Sequence, residues 1–525
     1  MPKVLISDKL SDRAAEIFRE RGCDVDVKTG LDPDALAQII GDYDGLAVRS
    51  ATKVTSTILD AATNLKVVGR AGIGVDNIDI PAATAKGVVV MNTPFGNSIT
   101  TAEHALSMMM ALARQIPQAN GSTHAGKWEK SKFMGVELYG KTLGLIGAGN
   151  IGSIVADRAL GLKMRVVAFD PFLSQDRAVD LGVEKVELDE LFRRADFITL
   201  HTPLTDQTRG IIDAAAIAKM KDGVRIINCA RGGLVVESDL KEALDSGKVA
   251  GAALDVFAEE PAKENPLFGH PNLICTPHLG ASTTEAQENV ALQVAEQMAD
   301  YLMTGAVTNA LNMPSVSAED APRLRPYLKL AEQLGSFAGQ ITETSLESVT
   351  VEYEGEIADL NTKPITNVIL MGLLRPLLDT VNSVSAPVLA RERDIDVSET
   401  RSAKESDYHT LIRLTVKTDR RTRVLEGSLF GGDKPRIVTV EGVPLEAELS
   451  EHMLFIRNED KPGFIGALGT ALGAAGLNIA NFHLGRTEAG GNAVALIAVD
   501  QLPDGTVLRQ VQDLPHVVTV KAMRF

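Results

Sequence analysis

Short apolar runs alternate with amphipathic helical stretches from the first residues onward. Val4 to Ser7 reads as a strand, and Ser11 caps a helix with Ala14, Ala15, Ile17 and Phe18 on its apolar positions. Gly45 to Val48, Val67-Val68 and Val88 to Met91 read as further strands. Strands alternating with helices in this way predict a parallel sheet in an α/β lobe. Ser98 to about Ala119 reads as one long helix, opened by Asn97 or Ser98 as its cap. On it Met108 to Met110 and Leu112 are core and His104 is a packed structural histidine. Four later apolar runs, Phe197 to Leu200, Val224 to Cys229, Ala250 to Asp255 and Leu273 to Thr276, are again strands of a parallel sheet. The stretch from about Ser282 to Leu302 carries Val290, Val294, Met298 and Leu302 four residues apart. It is therefore a helix with one buried stripe, which returns the chain to the first lobe.

The chemistry begins at the run Thr142 to Gly147. It passes into Gly147-Ala148-Gly149-Asn150-Ile151-Gly152, then a helical stretch, then Arg165 to Phe169 ending on Asp170, 18 residues past Gly152. Strand, glycine turn, helix, strand and acid in this order predict a dinucleotide site. Gly147 allows the tight turn, Gly149 lets the backbone approach a pyrophosphate, and Gly152 lets helix and strand pack closely. The helix N-terminus offers N–H groups and a positive dipole end. Asp170 can accept hydrogen bonds from both ribose hydroxyls and repels a 2′-phosphate, so NAD is expected rather than NADP.

Composition acts mainly by exclusion. The 525 residues suggest roughly three or four domains. A net charge of −16 argues against nucleic acid or an acidic membrane as partner. No apolar run reaches the roughly 18 residues that span a bilayer, and the N-terminus lacks a signal-peptide layout. Cys23, Cys229 and Cys275 are too scattered for a disulfide framework or a zinc site. A cytosolic protein with no metal is expected, whose important cations act locally on a small anion.

Those cations lie at strand ends, where open α/β sheets bind ligands. Arg49 and Arg70 each follow a strand of the first lobe. Taken singly each reads as a surface charge; together they suit a phosphate or carboxylate. Gly72 and Gly74 offer N–H groups to the same anion, and Asn97 is a further polar candidate. In the second lobe Arg231 can hold a carboxylate and His278 can serve the alkoxide proton. Glu260 beside the histidine would raise its pKa. His201 also follows a strand but lacks such companions, so Thr202 reads as cofactor lining. The loop Gly126 to Gly140, with Trp128, suggests a contact between subunits.

These motifs resemble the D-isomer-specific 2-hydroxyacid dehydrogenase family, in its long phosphoglycerate-oxidising form. The resemblance is carried by Gly147 to Gly152, Asn228 to Gly233, Leu254 to Pro261 and Pro277 to Thr283. Val48 to Thr52, Val68 to Asn77 and Asn92 to Asn97 add to it. It implies Arg231, Glu260 and His278 as catalytic groups. It implies NAD contacts at Asn150, Ile151, Asp170, Thr202, Cys229, Ala230, Asp255 and the loop His278, Leu279, Gly280, Ala281. It also implies 3-phosphoglycerate contacts at Arg49, Arg70 and Asn97. Ile73 departs from the pattern, which often has Thr there, so no side-chain hydrogen bond is implied at that position. A dehydrogenase for another 2-hydroxy acid, or a non-catalytic NAD-sensing scaffold, stays open at this point.

The expected architecture is α/β. A Rossmann-type NAD domain (98–282) is inserted into a flavodoxin-like substrate lobe (1–97 with 283–311). An α+β intervening domain (312–450) and a ferredoxin-like domain (451–525) follow. The last reads β-α-β-β-α-β, and Asn458 to Gly463 with Gly476 to Ile479 resembles an ACT regulatory domain. The helix after Pro462-Gly463 could take an amino acid's carboxylate, Asp460 its ammonium, and Asn458 and Asn478 further contacts. The resemblance implies L-serine as effector, a homo-oligomer (dimer or tetramer), and an intervening domain that takes an anion.

Overall fold

The computed structural model describes residues 1–317, 319–378, 381–403 and 407–525. The first five strands are β1 (Lys3–Ile6), β2 (Asp24–Val27), β3 (Gly45–Val48), β4 (Val67–Arg70) and β5 (Val89–Asn92). They form one parallel sheet in the order β2-β1-β3-β4-β5. This is the flavodoxin-like doubly wound order, whose switch point opens a crevice past the carboxyl ends of β1 and β3. Ser11 does cap the helix Asp12–Glu20, accepting the Arg13 N–H, and Ala14, Ala15, Ile17 and Phe18 are buried.

The helix Ser98–Arg114 then leaves this lobe. It is shorter than its apolar pattern suggests: Gln115 turns into the left-handed region and a second helix, Ile116–His124, begins. Pro117 lacks an N–H and its ring clashes with the carbonyl four residues back, so one continuous helix cannot pass it.

The next seven strands are β6 (Thr142–Ile146), β7 (Arg165–Phe169), β8 (Glu184–Lys185), β9 (Phe197–Leu200), β10 (Val224–Asn228), β11 (Val249–Leu254) and β12 (Leu273–Cys275). They make a parallel sheet ordered β12-β11-β10-β9-β6-β7-β8. Counted from β6 this is the Rossmann order with a seventh strand, and the switch point lies between β6 and β9. The helix Thr284–Thr304 returns the chain to the first sheet, burying Val290, Val294 and Met298. A Cβ on Gly69 of β4 would stand 2.1 Å from Met298 Sδ, so glycine there sets how closely this helix seats.

The third sheet combines β13 (Leu346–Gly355), β14 (Asp396–Ser402), β15 (Thr410–Thr418), β16 (Thr422–Phe430), β17 (Lys434–Val440) and β18 (Val443–Ala447). Its order is β14-β13-β15-β16-β17-β18, antiparallel except for β13 with β14. Helices Asp320–Ile341 and Lys363–Leu374 pack together and supply its core. The last sheet holds β19 (His452–Glu459), β20 (Ile479–Arg486), β21 (Asn492–Val499) and β22 (Val517–Arg524). It is antiparallel in the ferredoxin-like order β20-β21-β19-β22. Gln340 pins β22 to the preceding unit: its amide donates to the Arg524 carbonyl and accepts the Arg524 N–H, at 2.8 and 2.9 Å. Among the described residues no helix is long and apolar enough to cross a membrane.

Candidate active site

The glycine turn connects β6 to the helix Asn150–Gly161. Gly147 adopts φ +94° and donates its N–H to the Phe169 carbonyl at 2.9 Å. A Cβ there would meet the His201 carbonyl oxygen at 2.5 Å, and one on Gly152 would meet the Gly147 oxygen at 2.0 Å. A Cβ on Gly149 would meet nothing within 4 Å. Two glycines therefore close the turn and one keeps its outer side open, where a pyrophosphate fits against the helix N-terminus. Asp170 at the end of β7 accepts the N–H groups of Ala148 and Phe172, each at 2.8 Å. Each oxygen keeps a second lone pair for a ribose hydroxyl. These residues fit a dinucleotide with an unphosphorylated ribose.

Across the switch point, Thr202 lies at the exit of β9 with its hydroxyl 3.5 Å from the Pro203 carbonyl oxygen. His201 donates to or accepts from the Thr199 hydroxyl at 2.8 Å, and burial pushes its imidazole pKa down to about 4. It is a neutral packing group. Asn228 braces the next strand end, accepting the Ala230 N–H and donating to the Arg231 carbonyl. Cys229 beneath it is buried, and burial with the Asp255 charge pushes its thiol pKa up. Asn150 reaches the first lobe, where its amide lies 3.4 Å from the Pro94 carbonyl oxygen. Ile151 is half-buried beside it.

His278 and Glu260 come together from two different strand exits. His278 Nδ1 is 2.6 Å from Glu260 Oε2, and Glu260 Oε1 accepts the Phe257 N–H at 3.0 Å. The hydrogen bond to Glu260 raises the His278 pKa. Partial burial opposes it, the Glu260 and Asp255 charges add to it, and Arg231 subtracts. Burial alone would raise the Glu260 carboxyl; the bonds from His278 and the Phe257 N–H outweigh it and leave the pKa lowered. With Nδ1 committed to the carboxylate, Nε2 is the nitrogen left for a substrate proton.

Arg231 faces the first lobe. Its Nε is 3.0 Å from Asp76 Oδ2, its Nη1 donates to the Ala230 carbonyl at 2.8 Å, and its Nη2 lies against Gly74. Arg70 lies similarly against Gly72. Its pKa drops to about 10, chiefly through burial and then through the nearby positive charge of Arg231. Arg49 lowers it further, and Asp76 and Asp8 partly offset the fall. Arg70 Nε is buried without a partner among the described residues. Three guanidinium groups thus converge on one crevice, an arrangement that favours an anion. The expectation that Gly72 gives its N–H to that anion is corrected: this N–H donates to the Thr93 hydroxyl at 2.7 Å. Gly72 makes room for Arg70, and Gly74 makes room for Arg231. Asn97 Oδ1, at the start of the helix Ser98–Arg114, is buried and has no hydrogen-bond partner among the described residues.

Asp255 is also placed differently from a simple cofactor contact. Its side chain is fully buried and accepts the N–H groups of Leu279 and Gly280 and the Thr276 hydroxyl. His104 Nε2 stands 3.2 Å from the same carboxylate. Thr276 and His104 were missed as site residues; the sequence signal for His104 is the shared helix face of Thr101, His104 and Met108. Asp76 and Asp8 were missed as well. Asp8 accepts the Arg49 N–H and the Thr52 hydroxyl at 2.6 and 2.7 Å.

In the last domain a cavity of 320 Å³ gathers Asn458, Asp460, Pro462, Gly463 and Arg486. Asn458 Oδ1 is buried and has no hydrogen-bond partner among the described residues. Asp460 accepts from the Gly490 N–H at 3.0 Å and from Arg486 at 2.8 Å, which together lower its pKa. Both bonds fall on Asp460 Oδ2, so Oδ1 keeps acceptor capacity for an ammonium, and Arg486 is an added cation in the cavity. Asn478 does not line it within the chain; its amide donates to Asp500 at 3.1 Å.

Three family models match the chain. Residues 106–280 match the NAD binding domain of D-isomer specific 2-hydroxyacid dehydrogenases, 323–441 the D-3-phosphoglycerate dehydrogenase intervening domain, and 452–516 the ACT domain. The chain is 45% identical to a D-3-phosphoglycerate dehydrogenase of Synechocystis, covering 99% of this chain and 95% of that one. It is 43% identical to that of Bacillus subtilis, covering 99% of both. Among solved structures, a glyoxylate reductase from Paecilomyes thermophila is 30% identical with a TM-score of 0.56, over 59% of this chain and 98% of the other. With relatives so similar over nearly its whole length, the chain belongs to the D-3-phosphoglycerate dehydrogenase family of NAD-dependent oxidoreductases.

Proposed function

We propose that the chain oxidises D-3-phosphoglycerate to 3-phosphohydroxypyruvate with NAD, the first step of phosphorylated serine biosynthesis. The observation that carries this reading is the convergence of the His278–Glu260 pair with the three arginines, Arg231, Arg70 and Arg49. Arg231 orients the substrate carboxylate, and Arg49 with Arg70 takes the phosphate. Neutral His278 removes the C2 hydroxyl proton through Nε2, and Glu260 stabilises the resulting imidazolium. NAD, held by Gly147 to Gly152, Asn150, Ile151, Asp170, Thr202, Cys229, Ala230 and the 278–281 loop, supplies the hydride acceptor. Closure of the lobe 1–97 with 283–311 over the domain 98–282 would exclude water from this step.

The same reading makes 312–450 an intervening, anion-taking domain and 451–525 the effector domain, with L-serine in the Asn458–Arg486 cavity and feedback on the enzyme. The exposed Trp128, Met134 and Tyr139 support a homo-oligomer, dimer or tetramer. The free cysteines support a cytosolic setting. A substrate panel tests the assignment. Turnover of D-3-phosphoglycerate with NAD should far exceed that of D-glycerate, exceed that with NADP, and fall when L-serine is added. Equal turnover of phosphorylated and unphosphorylated acids would count against the phosphate assignment.

A further inference from the structure

The loop that carries His278 hangs from one buried carboxylate. Asp255 takes the Leu279 N–H at 2.7 Å, the Gly280 N–H at 2.8 Å and the Thr276 hydroxyl at 2.5 Å, and its own carbonyl takes the His278 N–H at 2.8 Å. His278 itself sits at φ +55°, a left-handed conformation that a non-glycine residue keeps only where its surroundings hold it. Asp255 is 0% exposed. A charge so buried needs partners, and losing one leaves it uncompensated.

One of those partners comes from outside the loop. The helix Ser98–Arg114 begins where the chain crosses from the first lobe to the second, and it presents Thr101, His104 and Met108 on one face. Thr101 Oγ1 donates to the Gly280 carbonyl at 2.9 Å. His104 Nε2 lies 3.2 Å from Asp255 Oδ1 and 3.2 Å from Thr276 Oγ1. Met108 Sδ lies 3.9 Å from Thr276 Oγ1, whose proton goes to Asp255. Among the described residues His104 is the one side chain able to carry positive charge that touches Asp255. Burial pushes the Asp255 carboxyl up, and the bonds led by His104 bring it below the usual range.

We propose that His104 is a positioning residue: through Asp255 it fixes the left-handed turn that presents His278, and so ties the acid–base loop to the helix that starts at the lobe crossover. The inference rests on the reading of His278 as the base. A histidine that merely fills space could be replaced by leucine without effect on chemistry. A positioning histidine could be replaced by glutamine, whose amide N–H can reach the same carboxylate, but not by leucine.

The test uses the full-length protein and two readouts. In His104→Leu, kcat for D-3-phosphoglycerate oxidation should fall about 10- to 100-fold while KM changes by less than about threefold, and His104→Gln should recover most of the loss. The second readout is the pH midpoint for diethyl pyrocarbonate modification of His278, followed by peptide mass. His278 titrates in the field of Glu260, Asp255 and Arg231, and loosening its loop weakens the bond to Glu260. Its midpoint should therefore fall in His104→Leu and return in His104→Gln. A kcat within about twofold of wild type together with an unchanged midpoint overturns the proposal, as does a glutamine variant no better than leucine. Failure of the wild type to oxidise the substrate would instead sink the functional reading, and the midpoint would still decide the role of His104.

Discussion

Gly74→Ala separates room for Arg231, the proposed carboxylate-orienting arginine, from stability of the fold. A Cβ at Gly74 would stand 1.8 Å from Arg231 Nη2 and 3.0 Å from its Cζ, with Asp76 Oδ2 at 3.1 Å. Ordinary contact needs about 3.5 Å, so the guanidinium end must retreat by roughly 1.7 Å. Gly74 is not among the residues with positive φ, so its backbone accepts alanine, and the obstructing atom is the tip of a flexible side chain. The fold can absorb the methyl group. The geometry of Arg231 cannot, because its bonds to Asp76 at 3.0 Å and to the Ala230 carbonyl at 2.8 Å define where it stands.

Displacement of a positioning group by about 1 Å costs roughly a hundredfold in rate, or about 2.7 kcal/mol of transition-state stabilisation. In Gly74→Ala, kcat/KM for D-3-phosphoglycerate should fall about 100-fold while the melting temperature moves by less than about 2 °C. Steady-state kinetics and a thermal melt on the same preparation read both. A kcat/KM within about threefold of wild type would refute the reasoning, and a large drop in melting temperature would trace the loss to folding instead. Gly72→Ala is the contrast: φ +141° and Arg70 Nη1 at 1.9 Å from the new Cβ predict loss of stability and activity together.

Glu260→Gln removes the group that raises the His278 pKa. The acid limb of kcat/KM, which rises as His278 becomes neutral, should move to lower pH while the plateau falls; an unmoved limb would contradict the pairing. The pair also has a stability window. The His278 contribution is present below its unfolded pKa and lost as pH rises through its raised folded value. The Glu260 contribution is present above its unfolded pKa and lost as pH falls through its lowered folded value. Arg49→Ala should raise KM strongly for D-3-phosphoglycerate and little for D-glycerate; equal effects on both would move the phosphate elsewhere. L-serine at a hundredfold its Kd should stabilise the protein by about 2.7 kcal/mol in wild type and less in Arg486→Ala, read by thermal shift. An unchanged melt in wild type would remove serine as the ligand.

The strands that build the cofactor turn were legible because they are apolar runs buried on both faces, as β6, β7, β9 and β10 are. β2, β8 and β14 were not, because edge strands such as Asp24–Val27 and Asp396–Ser402 read as polar loop. The break at Gln115 was signalled by Pro117, against a hydrophobic pattern that runs through it. The His278–Glu260 pair was legible from residue types at successive strand ends. The partners of those residues were not. Asp76 reaches Arg231 across 155 positions, Arg486 reaches Asp460 across 26, and His104 meets Asp255 only once the helix is packed under the sheet edge. Gly72 was read as a donor to the anion because nothing local reveals that its N–H goes to Thr93 and that the Arg70 guanidinium lies against it.

The central claim is that His278, held by Glu260, takes the substrate proton during NAD-linked oxidation. Single-turnover oxidation of D-3-phosphoglycerate, followed by absorbance of the reduced nicotinamide in wild type and in His278→Ala, tests it most directly. The account predicts rapid turnover in wild type and a rate about 10²- to 10⁴-fold lower in the variant, with NAD binding retained. A His278→Ala rate within about threefold of wild type would contradict it.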